Sequence, residues 1–522
     1  MLLVFMQKLV ASVRGRWYFA KGISELRLRK FILSKMKTEQ EASDRTARCF
    51  NRLQAVLRRD GSIPEIGLPV QAIGGFLARL ASLDSNNRFD TICVGAGERE
   101  GRILSPLVQQ LHYGLAHGIG RSGNLTERQP KAIGSSILSE IANKLALDAI
   151  RCLGIPSTKA AMVVPVATGM ALSLCLSAWR HTKRRAKFVV FLRIDQKSCF
   201  KSIFTAGFEP IIIDGIQETV ISDGLITDLT ALKIVLEKQK DEIIAVLSTT
   251  SCFAPRQPDN LIAVGELCTK YGVKHLVNNA YGLQSSECRN RIEEAGSVGY
   301  IDAFIQSTDK NFLVPVGGSI VATFDKKSLD MIANFYPGRA SIVPSRDLLI
   351  TLLQLGKTGL KELYNTQQTN FQVLHATMQE YAETIGQKVM EVKMNRISLA
   401  VTLKGWTSQQ QNAFGAQLFS RGVTGARTIP NGLSRTIDGY EFFNFGSHSS
   451  REHDGYLNVA CAIGMTTQEI EELVKVLKEE TPKWAFSSSI NAKDRSSTRQ
   501  DNANCITALP CAEDIQANES CA

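Results

Sequence analysis

The sequence predicts an α/β protein built around a mainly parallel β-sheet. Between about residues 160 and 325, short β-rich runs (162–166, 188–193, 210–213, 243–247, 275–278, 303–306 and 319–323) alternate with stretches of helical spacing. The runs are continuously apolar, as strands buried on both faces are, and the intervening helices would cover those faces. The chain is also long enough for a large core in two or three domains: 522 residues, 44% hydrophobic and 21% charged. No apolar run reaches the roughly 18–20 residues that a membrane helix needs.

In chain order, residues 1–41 form a basic extension. Its first 38 residues hold nine Lys or Arg against one acid, Glu25, with Trp17, Tyr18 and Phe19 together. An organelle transit peptide, a helical arm and an erroneous first exon all fit that composition. Residues 42–150 read as a helical N-terminal region, with helical spacing in Leu53-Gln54-Ala55-Val56-Leu57 and Phe76-Leu77-Ala78-Arg79-Leu80. Residues 151–385 form the large α/β domain and end in a helical stretch from about 345. A smaller α+β domain spans 386–483, with a strand at 397–403 and a closing helix around 468–478. Residues 484–522, rich in Ser, Asn, Asp and Ala, read as a disordered tail.

The net charge of +11 favours polyanionic partners such as nucleic acid or phosphorylated ligands. The 12 cysteines form no C-x-x-C pair and read as reduced thiols of an intracellular protein, and the 7 histidines show no metal-ligand spacing. No metal is expected.

Gly118-Ile119-Gly120-Arg121-Ser122-Gly123 matches G-x-G-x-x-G. The dinucleotide reading fails, because Gln109–Gly114 before it is no buried strand. A Gly-rich loop carrying Arg121, Ser122, Gln129 and Lys131 can still hold a phosphate through N–H groups and cations, although a plain polar loop fits as well. Ala167-Thr168-Gly169 joins a strand end to a helix, where N–H groups and a hydroxyl can meet a phosphate; an ordinary strand–helix turn reads the same. Ser307-Thr308-Asp309-Lys310 follows a predicted strand and precedes Gly317-Gly318. Pyridoxal-phosphate (PLP) enzymes of the aspartate-aminotransferase fold carry their Schiff-base lysine at such a place. About thirty residues earlier, Asn278-Asn279-Ala280-Tyr281-Gly282 resembles the D-x-A-[HY]-G strand end of that fold, with Asn278 at the Asp place. The order of the pieces makes the case; a surface lysine is the alternative.

Longer words then match one family. They include Gly97-Glu98-Arg99-Glu100-Gly101-Arg102, His117 to Gly123, Arg193-Ile194-Asp195-Gln196-Lys197-Ser198-Cys199-Phe200, Ser248 to Arg256, Asp309-Lys310-Asn311-Phe312 and Tyr336-Pro337-Gly338-Arg339. Over roughly 42–480 the chain resembles the O-phosphoseryl-tRNA(Sec) selenium transferases, PLP-dependent enzymes of fold type I.

The resemblance implies that the chain converts O-phosphoseryl-tRNA(Sec) into selenocysteinyl-tRNA(Sec) with selenophosphate, in the cytoplasm, as a homotetramer with active sites at dimer interfaces. It makes Lys310 the PLP lysine and gives the cofactor phosphate to Arg99, Ala167, Thr168 and Gly169. Gln196 would lie against the ring and Asn278 would face its nitrogen. Arg121, Ser122, Gln129 and Arg339 would hold the substrate phosphate, Glu98 would filter substrates, and Arg427 would contact the tRNA. Membrane and DNA are not expected partners. An arginine that relatives carry before the lysine strand is missing from Gly296-Ser297-Val298-Gly299-Tyr300. A cysteine-forming tRNA-dependent lyase, a desulfurase and an inactive tRNA-binding scaffold are the competing readings.

Overall fold

A computed structural model describes residues 61–87, 94, 96–97, 100–219 and 222–485. The basic extension, the helical spacing at 53–57, Glu98, Arg99 and the tail from 486 lie outside the described residues.

The central sheet takes its strands from the β-rich runs. They are β1 (Ala160–Val164), β2 (Phe188–Leu192), β3 (Glu209–Ile213), β6 (Ile243–Thr249), β7 (Lys274–Asn278), β8 (Ala303–Ser307) and β9 (Ser319–Thr323). A small hairpin of β4 (Gly215–Gln217) and β5 (Leu225–Thr227) interrupts the series. The order is β1-β9-β8-β7-β6-β2-β3. Strand β9 runs antiparallel to β1 and β8, and the other pairs are parallel. Every residue of β1, β6, β8 and β9 is buried, as the unbroken apolar runs require.

Helices cover both faces. Before β1 lie α1 (Val70–Ala81), α2 (Pro106–Leu111) and α3 (Ile133–Leu153). Helices α4 (Thr168–Trp179), α5 (Lys197–Thr205), α6 (Leu229–Gln239), α7 (Leu261–Tyr271) and α8 (Ser286–Ser297) link the strands. Then come α9 (Thr308–Phe312), α10 (Lys326–Ala333) and the long α11 (Val343–Thr384). Asp228 caps α6, Asn260 caps α7 and Ser285 caps α8, each accepting from a first-turn N–H.

Helix α11 serves two cores. Leu348, Leu349, Leu352, Leu353, Leu360 and Tyr364 pack into the core of the sheet. Phe371, Leu374, Met378 and Tyr381 pack into a second core. That core holds β10 (Ser398–Thr402), α12 (Ser408–Ser420), β14 (Tyr456–Ala460) and α13 (Thr467–Ala485). Strand β11 (Arg427–Ile429) completes a three-stranded antiparallel sheet in the order β10-β14-β11. A hairpin of β12 (Arg435–Ile437) and β13 (Tyr440–Phe442) lies between β11 and β14 in the chain. The closing helix is longer than its sequence pattern, running through Pro482 to Ala485. The expected tail therefore begins two residues inside a helix.

Candidate active site

Strand β8 ends at Ser307, and the chain turns at once into α9, which carries Lys310. This turn is heavily pinned. Asn311 donates to the carbonyls of Ala280 and Ser307, each at 2.8 Å. The Tyr364 hydroxyl donates to the Asn311 carbonyl, and Gln284 donates to that of Lys310, both at 2.8 Å. Asp309 accepts from the Ser307 hydroxyl. Leu313 closes the helix with φ of 52°. The backbone that carries Lys310 is thus fixed, the residue is half-buried, and its Nζ lies 5.7 Å from the centre of the Tyr281 ring.

Tyr281 belongs to the loop after β7, whose last residue is Asn278. The Asn278 side chain is 1% exposed. Its Oδ1 accepts from the Ala280 N–H at 3.1 Å, which requires the oxygen on that side. Its Nδ2 then donates toward the Cys199 thiol at 3.4 Å. The site thus meets Asn278 as an amide already oriented by backbone.

Two helix starts face the same end of the sheet. Helix α4 begins at Thr168 with Ala167 as N-cap and no side-chain cap; α5 begins at Lys197 with Gln196 as N-cap, also uncapped. A Cβ on Gly169 would lie 3.1 Å from the Ser198 carbonyl, so glycine lets the two starts approach. Uncapped first-turn N–H groups on α4 suit an anion such as a cofactor phosphate. With the lysine turn and the oriented Asn278, these residues fit PLP.

The substrate-phosphate candidates form a second group. The Gly-rich loop is tied to the segment after α10 by paired hydrogen bonds between Ile119 and Ala340, at 2.9 and 3.1 Å. A Cβ on Gly118 would meet the Ala340 carbonyl at 2.4 Å, so this junction needs glycine. It brings Arg339 to the loop, where Nη2 donates to the Gly118 carbonyl at 3.3 Å. Gln129 is held through its N–H by Ser136 Oγ at 3.0 Å. Arg121 and Ser122 are exposed, Arg121 lying 3.5 Å from Glu127.

Arg427 lies across from the lysine turn. Its guanidinium is 5.3 Å from the centre of Phe253, whose ring is 6.1 Å from that of Tyr281. A row Arg427–Phe253–Tyr281–Lys310 therefore joins the smaller unit to the Lys310 amine.

Sequence reasoning missed several supporting residues. Asp195, beside Gln196, accepts from Arg193 at 2.8 Å and from the backbone N–H groups of Gly446 and His448 at 2.8 and 2.7 Å. His448 Nδ1 accepts from the Asp195 N–H at 2.9 Å. These partners are separated by 253 residues, so no local pattern announced them. Asp195 did sit inside a long family word. Phe253 likewise carried no signal of its own.

Burial pushes the thiols of Cys199 and Cys252 up to about 12 and that of Cys288 to about 11. They stay protonated near neutrality, which is the wrong state for a desulfurase nucleophile. A cleft of about 630 Å³ opens elsewhere, lined by Gln217, Asp223, Lys388, Arg451 and His453 among others, and contains none of the expected site residues.

The fold and the lysine turn define a fold type I α/β enzyme, the class built around PLP. Residues 83–481 match the family described as O-phosphoseryl-tRNA(Sec) selenium transferase, SepSecS. The chain belongs to that family. It is 50% identical to the O-phosphoseryl-tRNA(Sec) selenium transferase of Caenorhabditis elegans, over 84% of this chain and 90% of that one. The Dictyostelium discoideum enzyme of the same name is 40% identical over 82% and 93% of the two chains. A crystal structure of an archaeal O-phosphoseryl-tRNA(Sec) selenium transferase superposes with a TM-score of 0.75 at 26% identity, covering 88% of this chain and 99% of that one. A Burkholderia pseudomallei sphingosine-1-phosphate lyase, at 13% identity and a TM-score of 0.51 over 91% and 94% of the two chains, shares the fold alone.

Proposed function

We propose that the amine of Lys310 is where this enzyme converts O-phosphoseryl-tRNA(Sec) into selenocysteinyl-tRNA(Sec), with PLP as cofactor and selenophosphate as selenium donor. The observation that carries this reading is the pinned turn after β8, which holds Lys310 Nζ over Tyr281, in the loop that follows the strand ending at Asn278. PLP, when bound, supplies the electron sink that makes the substrate's α-C–H acidic. Ala167, Thr168 and Gly169 at the α4 start, with Arg99, would hold the cofactor phosphate, and Gln196 would lie against its ring. Asn278 presents an amide rather than a carboxylate to the ring nitrogen.

Lys310 Nζ takes the α-proton. The β-carbon–oxygen bond then breaks, and phosphate leaves with the electron pair. Arg121, Ser122, Gln129 and Arg339 orient that phosphate and stabilise the charge as it departs. Selenophosphate adds through its selenium at the β-carbon, Lys310 returns a proton to the α-carbon, and water cleaves the selenium–phosphorus bond to release inorganic phosphate. Glu98 excludes free amino acids by repelling an α-carboxylate. Arg427, braced on Phe253, receives the tRNA end.

This reading gives PLP binding to the unit 151–385, the phosphate loop to 42–150 and tRNA contacts to 386–483. It places the enzyme in the cytoplasm as a homotetramer. Support for assembly comes from α2, which buries none of its residues and exposes Leu107 and Leu111 by 65% and 62%. Leu104, just before it, is fully exposed. Apolar clusters of this kind mark subunit contacts.

The test is conversion of O-phosphoseryl-tRNA(Sec) with selenophosphate and PLP in vitro. Lys310→Ala removes the amine but little buried area, so the fold should survive while turnover is abolished. Near-normal turnover by that variant would overturn the assignment.

A further inference from the structure

The seat assigned above to the substrate phosphate already holds an anion from the chain itself. Glu100 Oε2 accepts from Lys131 Nζ at 2.8 Å, and the same oxygen accepts from Arg339 Nη1. Two cations from different parts of the chain thus converge on one carboxylate oxygen. Lys131 comes from the end of the Gly-rich loop segment, and Arg339 is the residue that the Ile119–Ala340 bonds bring to that loop. The Arg339 side chain is 17% exposed and Glu100 is 44% exposed. The cations are therefore the better-buried partners, Lys131 being 31% exposed. Arg339 Nε is buried without a hydrogen-bond partner, so the guanidinium keeps donor capacity that Glu100 does not use. Asn86 Nδ2 binds the Gly101 carbonyl at 3.2 Å, and Gly101 has φ of 79°. That turn anchors the backbone beside Glu100. The hydrogen bond from Lys131, with the charge of Arg339, holds the Glu100 carboxyl below the usual range, so it is ionised at neutral pH.

We propose that Glu100 is a placeholder in the phosphate seat, a specificity-determining residue that closes Lys131 and Arg339 when no phosphate is bound. The inference rests on the reading of Arg339 as a phosphate ligand, and it adds Lys131 to Arg121, Ser122, Gln129 and Arg339. Glu100 brings one charge and places one oxygen between the two cations. A phosphate monoester brings close to two charges and three acceptor oxygens, enough to bind Lys131 and Arg339 at once. It can displace the carboxylate, whereas chloride or a free carboxylate competes on worse terms. An internal competitor weakens every incoming anion by the fraction of time it leaves the seat open. Weak monoanions then fall below useful affinity. After phosphate has left the β-carbon, the returning Glu100 side chain also helps to expel it.

The experiment measures binding of inorganic phosphate to the PLP-loaded oligomer by calorimetry, and its inhibition of turnover. Because Glu100 is partly exposed, Glu100→Gln should tighten phosphate binding roughly three- to tenfold, with a matching fall in the inhibition constant. Glu100→Ala should act in the same direction. Arg339→Ala and Lys131→Ala should each weaken phosphate binding. Unchanged or weaker binding in both Glu100 variants, with binding still lost in Arg339→Ala, would overturn the placeholder and leave the phosphate seat standing. Failure of both Glu100 variants to fold would make the residue a structural brace and overturn the placeholder too. Phosphate binding indifferent to Glu100, Lys131 and Arg339 alike would put the seat elsewhere and sink the underlying reading.

Discussion

His448 ties the loop before β14 to Asp195 at the start of α5, and its chemistry makes that tie depend on pH. It is 4% exposed and has φ of 65°, a left-handed conformation that side chains rarely adopt. Its ring accepts the Asp195 N–H, and its own N–H binds the Asp195 carboxylate. Protonating Nδ1 would break the first bond and place a charge in a buried site. Burial, only partly opposed by Asp195, lowers the His448 pKa from 6.5 to about 4. Between those values the unfolded chain binds a proton that the folded chain refuses. Stability contributed by this residue is therefore complete above pH 6.5 and is lost as pH falls toward 4. The full loss is on the order of 3 kcal/mol, since each unit is worth about 1.4 kcal/mol. Chemical denaturation at pH 7 and pH 5 should show reduced stability at the lower value. His448→Asn tolerates the left-handed backbone and keeps an acceptor, so it should flatten the dependence. An equally steep dependence in the variant would assign it to other groups.

Among the elements, α11 shows what the sequence made legible and what it did not. The helical stretch from about 345 to 385 was visible in spacing, but not the break inside it. Gly356 has φ of 67° and ψ of 180°, a combination that glycine alone tolerates. A Cβ there would lie 2.6 Å from the Gly67 nitrogen. The extended segment before α1 fills the break, with Lys357 and Thr358 donating to the carbonyls of Pro64 and Glu65 at 2.9 and 3.0 Å. Gly356→Ala should therefore cost about 2 kcal/mol or more through strain and the clash, read as a lower unfolding temperature. A neutral effect would mean that the helix straightens and releases the segment. The seven central strands were legible because each is an apolar run with its own composition, 319–323 matching β9 residue for residue, whereas the short hairpin strands β4, β5, β12 and β13 were not. Lys310 and Asn278 were legible because strand ends announce themselves locally. Glu100 on Lys131 and Arg339, the Phe253 bridge to Arg427, and Asp195 on His448 were not. Each is a contact between distant segments, for which composition and period carry no signal.

At the scale of the whole molecule, a single chain leaves an unfinished apolar surface. Helix α2 is held at its start by Ser105, which accepts from the Val108 N–H at 3.4 Å, yet it packs none of its six residues inward. Leu104, Leu107, Val108 and Leu111 are exposed by 100%, 65%, 42% and 62%. Nearby in sequence, Val94 is exposed by 83%. Burying one such leucine is worth roughly 1.5–3 kcal/mol, so leaving several in water is costly unless another surface covers them. The Gly-rich loop follows α2 directly, and Arg346 reaches back to donate to the Leu111 carbonyl at 2.9 Å. A second subunit seated on α2 would therefore press on the loop that carries Arg121 and Ser122. Assembly and the phosphate seat should then fail together. Leu107→Glu with Leu111→Glu adds charge to an already exposed face, so the chain should still fold. Sedimentation should show a smaller species than the unaltered protein forms, and turnover should fall at least tenfold. If the double variant keeps both its assembly and its activity, α2 is not the contact and the exposed leucines need another partner. If it assembles normally but loses turnover, α2 acts on the loop within its own chain.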